Sequence, residues 1–162
     1  MPTCKTIAAS GLLAMVGCAP AGPLAVIDPA AWTAISPDPL DSSQDCAAEA
    51  MQLEAGLVEI DTTLCNWVTM DQPSLAKVRE GDLLDVFAFH SALSAAEPAT
   101  GRMAVWINDE LVWEVTPPIP SAEGIYSEQV VAPSTAPAGS EVRLHISNHG
   151  GNSWRFVSLE RQ

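Results

Sequence analysis

Past residue 60 the chain alternates, again and again, between short apolar runs and clusters of Pro, Gly, Ser, Asn and Asp. Runs at 64–70, 82–93, 102–108, 111–116, 125–132, 141–147 and 153–160 are rich in Val, Ile, Trp and Phe, the composition of strands. Three of them alternate with period two. Val142, Leu144 and Ile146 take one face while Arg143, His145 and Ser147 take the other. Met103, Val105 and Ile107 likewise oppose Arg102, Ala104, Trp106 and Asn108. The last run reads the same way, with Trp154, Phe156 and Ser158 opposing Arg155, Val157 and Leu159. Asn108-Asp109-Glu110 and the run from Asn148 to Asn152 are expected to be tight hairpins.

Seven short strands without a long helix between them predict an all-β fold, two antiparallel sheets packed face to face. Pro117, Pro118 and Pro120 mark an edge or a break and argue against a closed barrel. Residues 46–57, CAAEAMQLEAGL, have helix-forming composition, and one short helix is expected there. No internal repeat is visible.

The first half reads differently. Between 18 and 45, Pro20, Pro23, Pro29, Pro37 and Pro39 interrupt any periodicity, which predicts a semi-extended tether. Trp32 and residues 24–27 are its apolar exceptions, able to pack back on the domain. Before it, Lys5 precedes an apolar run over 7–16 and then small residues. Ten residues are too few to cross a hydrocarbon core about 30 Å thick, and the order is that of a secretory signal. The predicted organisation is a signal over 1–17, a tether over 18–45 and a β-sandwich domain over 46–162.

Met15-Val16-Gly17-Cys18 resembles the lipobox of bacterial lipoproteins. The resemblance implies cleavage before Cys18, acylation of its thiol, and a partner in the membrane through that lipid. A stable anchor needs two chains, each buried CH₂ contributing about 0.8 kcal/mol. The expected location is then the bacterial cell envelope, lipid-anchored, periplasmic or surface-exposed. Met15 departs from the usual Leu, Val or Ile, and an ordinary secretory cut after Ala21 is the rival reading. With Cys4 in the signal and Cys18 acylated, Cys46 and Cys65 remain as an even pair in an oxidising compartment. A bridge between them would close roughly twenty residues and contribute about 3 kcal/mol.

The run APAGSEVRLHISNHGGNSWRFVSLE resembles the jelly-roll sandwiches of carbohydrate-binding modules and galactose-binding-like domains. That resemblance implies a non-catalytic binding module with a glycan or protein ligand.

Composition narrows the partners. Twenty acidic residues against seven basic give a net charge of −13, which excludes the basic face a nucleic-acid binder needs. Apolar residues make up 48% of the chain, too many for a wholly disordered one. There is no GxSxG, P-loop, GxGxxG or HExxH, so no enzyme class and no cofactor is indicated. Five Trp against one Tyr and three Phe is the unusual ratio; a Trp either fills a core or, exposed, stacks on a sugar. Trp106, with Arg143, His145 and Trp154, forms the candidate ligand-binding set. Two alternatives stand beside the binding module: a purely structural envelope lipoprotein, and a metal-handling protein in which His90, His145 and His149 converge.

Overall fold

The apolar/polar alternation becomes strands wherever one face can be buried. The computed structural model describes residues 22–36, 39, 46, 48–148 and 150–162. Its strands are β1 (Leu24–Ala25), β2 (Thr33–Ala34), β3 (Met51–Glu54), β4 (Leu57–Asp61), β5 (Trp67–Pro73), β6 (Leu83–His90) and β7 (Ala99–Thr100). They continue with β8 (Arg102–Ile107), β9 (Glu110–Val115), β10 (Pro118–Ile119), β11 (Gly124–Val131), β12 (Glu141–Ser147) and β13 (Ser153–Arg161). A six-stranded sheet has the order β11-β6-β13-β4-β3, with β1 paired to β13, and a five-stranded sheet the order β2-β5-β12-β8-β9. All pairs are antiparallel, as expected. β7 and β10 form a separate short ladder at the Pro-rich break.

The core lies between the two sheets. Ile60, Leu84, Val86, Ala88, Trp154, Phe156 and Leu159 come from one side, and Val68, Met70, Met103, Val105, Val142, Leu144 and Ile146 from the other. The sides chosen in β8 and β12 are those the alternation predicts. Along one flank Trp113 packs on Tyr126 and Phe156 and donates its indole N–H to Glu128 at 2.9 Å. That bond ties the edge strands β9 and β11 across the sandwich.

Four expectations need correction. Residues 46–57 hold one 3-10 turn, Ala48–Ala50, and then a hairpin of β3 and β4. Ala55 and Gly56 both have positive φ, the requirement of a two-residue turn whose twist matches the strands, and this outweighs helix propensity. The run Asn148 to Asn152 is a crossover and not a hairpin, since β12 and β13 belong to different sheets. Asn148 pins the crossover by donating to Thr62 Oγ1 at 2.7 Å, and Asn152 Oδ1 accepts from Ser94 N–H at 2.6 Å. In β13 the register shifts between Phe156 and Ser158. That bulge turns Leu159 into the core and Ser158 outward, reversing the plain alternation past Val157. Finally, the described part of the expected tether adds to both sheets as strands, β1 to one and β2 to the other, while Val26 and Ile27 lie in the core and Trp32 packs on Phe156, as expected of the apolar exceptions.

Cys46 and Cys65 are bonded, with their Cα atoms 5.1 Å apart. The bridge joins the lead into β3 to the loop two residues before Trp67. Cys18, the lipobox and the signal lie outside the described residues. Among the described residues no helix is long and apolar enough to cross a membrane.

Candidate functional site

Because partners in register share a face, the outer surface of the five-stranded sheet can be read row by row. One row is Trp67, Ser147 and Arg102; the next is Thr69, His145, Ala104 and Glu114; the third is Asp71, Arg143 and Trp106. Apart from Glu114, which is exposed at the β9 end, the middle row is recessed. Thr69 and Ala104 are fully buried and His145 is 5% exposed, while the two flanking rows are half-buried. The result is a trough with a polar floor, an indole at each of two opposite corners, and two guanidinium groups on its walls. Four residues along and two strands across place the Trp67 and Trp106 Cα atoms about 16 Å apart.

The walls are held by ion pairs. Arg102 grips Glu114 with two bonds of 3.2 Å, and its guanidinium carbon stands 5.2 Å from the Trp106 ring centroid. That cation–π contact orients the indole before any ligand arrives. Arg143 bonds Glu141 and lies 3.6 Å from Asp109. On the floor, His145 Nδ1 and Thr69 Oγ1 are 2.8 Å apart. Two buried donors, Trp67 Nε1 and Arg143 Nε, have no partner among the described residues.

Three of the four expected ligand-binding residues therefore meet on one face: Trp106, Arg143 and His145. The fourth does not. Trp154 points inward, is fully buried, and packs at a tilt against His90, the ring centroids 4.8 Å apart. A Cβ at position 101 would lie 2.9 Å from its ring, so Gly101 provides the space for it. The reason is parity: Trp154 is in register with the inward-facing Ile60 and His90. Residues missed in the sequence are Trp67, Thr69, Arg102 and Glu114. The alternation Trp67-Thr69-Asp71 against Val68-Met70-Gln72 carried the signal, since it assigns Trp67 to the polar face.

The proposed histidine triad is not assembled. His90 lies in the six-stranded sheet facing inward, where Nδ1–H donates to the Ser91 carbonyl at 2.7 Å and Nε2 accepts from Tyr126 Oη at 2.9 Å. His145 faces outward on the other sheet, and His149 lies outside the described residues. Among the described residues there is no group of three His, Cys, Asp or Glu side chains suited to a metal ion.

The six-stranded sheet has its own outer face. Phe87, Phe89, Ile125 and Arg155 line a shallow groove of about 470 Å³ there, with Arg155 5.4 Å from the Phe89 centroid. Arg155 also bonds Glu54 and Glu59.

No protein-family model matches the chain, and no curated protein does. Solved structures do. The N-terminal cellulose-binding domain of β-1,4-glucanase C from Cellulomonas fimi superposes with a TM-score of 0.50 at 14% identity, over 81% of this chain and 88% of that one. A family 4 carbohydrate-binding module gives 0.49 at 14% identity over 69% and 88%. The C-terminal family 6 module of a marine laminarinase from Zobellia galactanivorans gives 0.42 at 14% over 70% and 88%. The likeness to the cellulose-binding domain is one of fold: the chain is an antiparallel β-sandwich.

Proposed function

We propose that this chain is an exported, lipid-anchored envelope protein whose sandwich binds a glycan without catalysis. The binding surface is the outer face of the five-stranded sheet. The observation that carries the reading is the trough itself. Two half-exposed indoles about 16 Å apart flank a buried polar floor, a span suited to several consecutive sugar rings. Indoles stack on the apolar faces of sugars, while Arg143, Asp71 and Glu114 offer hydrogen bonds to ring hydroxyls. Charge narrows the ligand class. Arg102 and Arg143 each hold a carboxylate and Asp71 adds another charge, on a chain of net −13, so a neutral glycan fits and a uronate-rich one is repelled. The carbohydrate-binding neighbours support the same reading.

Export and anchoring rest on the signal-like terminus and on Cys18, and the Cys46–Cys65 bridge is in keeping with an oxidising compartment. Affinity electrophoresis of the full chain through gels containing neutral or uronate-containing polysaccharides tests the binding. Retardation by a neutral polysaccharide, lost in Trp106→Ala, is expected. Equal mobility in every gel overturns the glycan reading.

A further inference from the structure

Among the described residues β11 ends the six-stranded sheet, and its outer edge has no partner strand there. Ala132 N–H donates to Asp82 O on one side of β6, and Gln162 N–H donates to Leu83 O on the other. Even-numbered residues of β11 therefore bond β6, leaving the N–H and C=O groups of Ile125, Ser127, Gln129 and Val131 facing away from the sheet. Among the described residues no backbone group bonds these eight. An eight-residue edge is usually blunted by Pro, Lys or a bulge, and β11 has none of these. Ile125 is 72% and Val131 61% exposed on it.

We infer that β11 is the interface with a second copy of this chain, paired antiparallel about a two-fold axis beside Glu128. The outward residues read apolar, polar, polar, apolar: Ile125, Ser127, Gln129, Val131. Turned upon itself with Glu128 opposite Glu128, this pattern is self-complementary, as a two-fold interface must be. Ile125 then meets Val131 of the partner subunit, and Ser127 meets Gln129 of the partner subunit. This register alone satisfies all eight free groups on each chain; a slip by one residue opposes mismatched edges, and a slip by two leaves groups unpaired. The two sheets become one, extending the apolar face of Phe87 and Ile125 across the axis. Glu128 faces its own copy, a repulsion that added salt screens. Such an axis runs perpendicular to the sheet, so both troughs point the same way. That arrangement rests on the glycan reading above and would make binding bivalent.

Light scattering on the full chain, with any detergent mass subtracted, reads the assembly without a glycan. The expected result is a concentration-dependent doubling of mass, strengthened by salt. Ser127→Pro, which removes only an outward N–H, should give a monomer with an unchanged melting profile, and Ile125→Lys should do the same should the first variant fail to fold. Glu128→Gln keeps an acceptor for Trp113 and should tighten the dimer about tenfold, the change that 1.4 kcal/mol produces. Ile125→Lys combined with Val131→Glu should restore the dimer lost in the single variant. A wild-type monomer at every concentration, or a dimer that survives Ser127→Pro, overturns the inference. Since no polysaccharide is present, neither result bears on the trough.

Discussion

Each sheet carries a guanidinium over an aromatic ring on its outer face, yet the two surroundings differ. On the five-stranded sheet Arg102 covers Trp106 beside a recessed floor of Thr69, His145 and Ala104. On the six-stranded sheet Arg155 covers Phe89 beside Phe87 and Ile125, which stand 37% and 72% exposed. The first face alternates indoles with hydrogen-bonding groups, the pattern a polyhydroxylated ring needs. The second groups Phe87, Phe89 and Ile125 beside a strand edge that has no partner among the described residues, the pattern another sheet needs. The same contact thus serves two purposes, decided by the residues one row away.

The largest expected effect comes from the layer that both faces share. Trp154→Ala should cost about 3–5 kcal/mol of stability. Chemical denaturation would show the loss, and both binding and assembly should weaken with it. Retention of full stability would mean that Trp154 is not core. Trp106→Ala should cost about 2 kcal/mol of glycan affinity while Phe87→Ala costs none; titration calorimetry with the retarding polysaccharide reads both. Equal losses would erase the distinction between the faces. Arg102→Lys should cost about 1 kcal/mol of affinity, since an ammonium keeps the charge but not the planar fork on Glu114 or the stack on Trp106.

The smallest effect is electrostatic. Burial, and then the nearby Glu128 carboxylate, raise the Tyr126 hydroxyl above its ordinary pKa of 10.0. A raised folded-state value means the contribution is fully present below pH 10.0 and is lost as pH climbs through the folded-state pKa. Thermal melts across that alkaline range should fall less steeply in Tyr126→Phe than in the wild type. Parallel curves would remove Tyr126 from the account.

Much of this was legible locally. The period-two pattern over Glu141–Ser147 defined both the limits of β12 and its polar face, so Arg143 and His145 were found. In Arg102–Ile107 it separated Trp106 from the core. The even pair Cys46 and Cys65 was enough to predict the bond. Trp154 was assigned to the wrong surroundings because alternation states which residues share a side, never which side is covered. The β13 bulge left no mark in the sequence, since Val157 differs little from any other strand residue.

By itself, then, the sequence determined most of the strand content past residue 64, the parity of side chains within strands that carry no bulge, and the disulfide, because these depend on neighbours one or two residues away or on a count. Only the tertiary structure decided that β12 lies between β5 and β8, that β13 belongs to the other sheet, and that His90 and His145 are kept apart. Strand order depends on contacts between residues dozens of positions apart, and burial on what the second sheet covers. The trough exists because Trp67, Arg143 and Trp106 come from three strands that only the folded sheet makes adjacent.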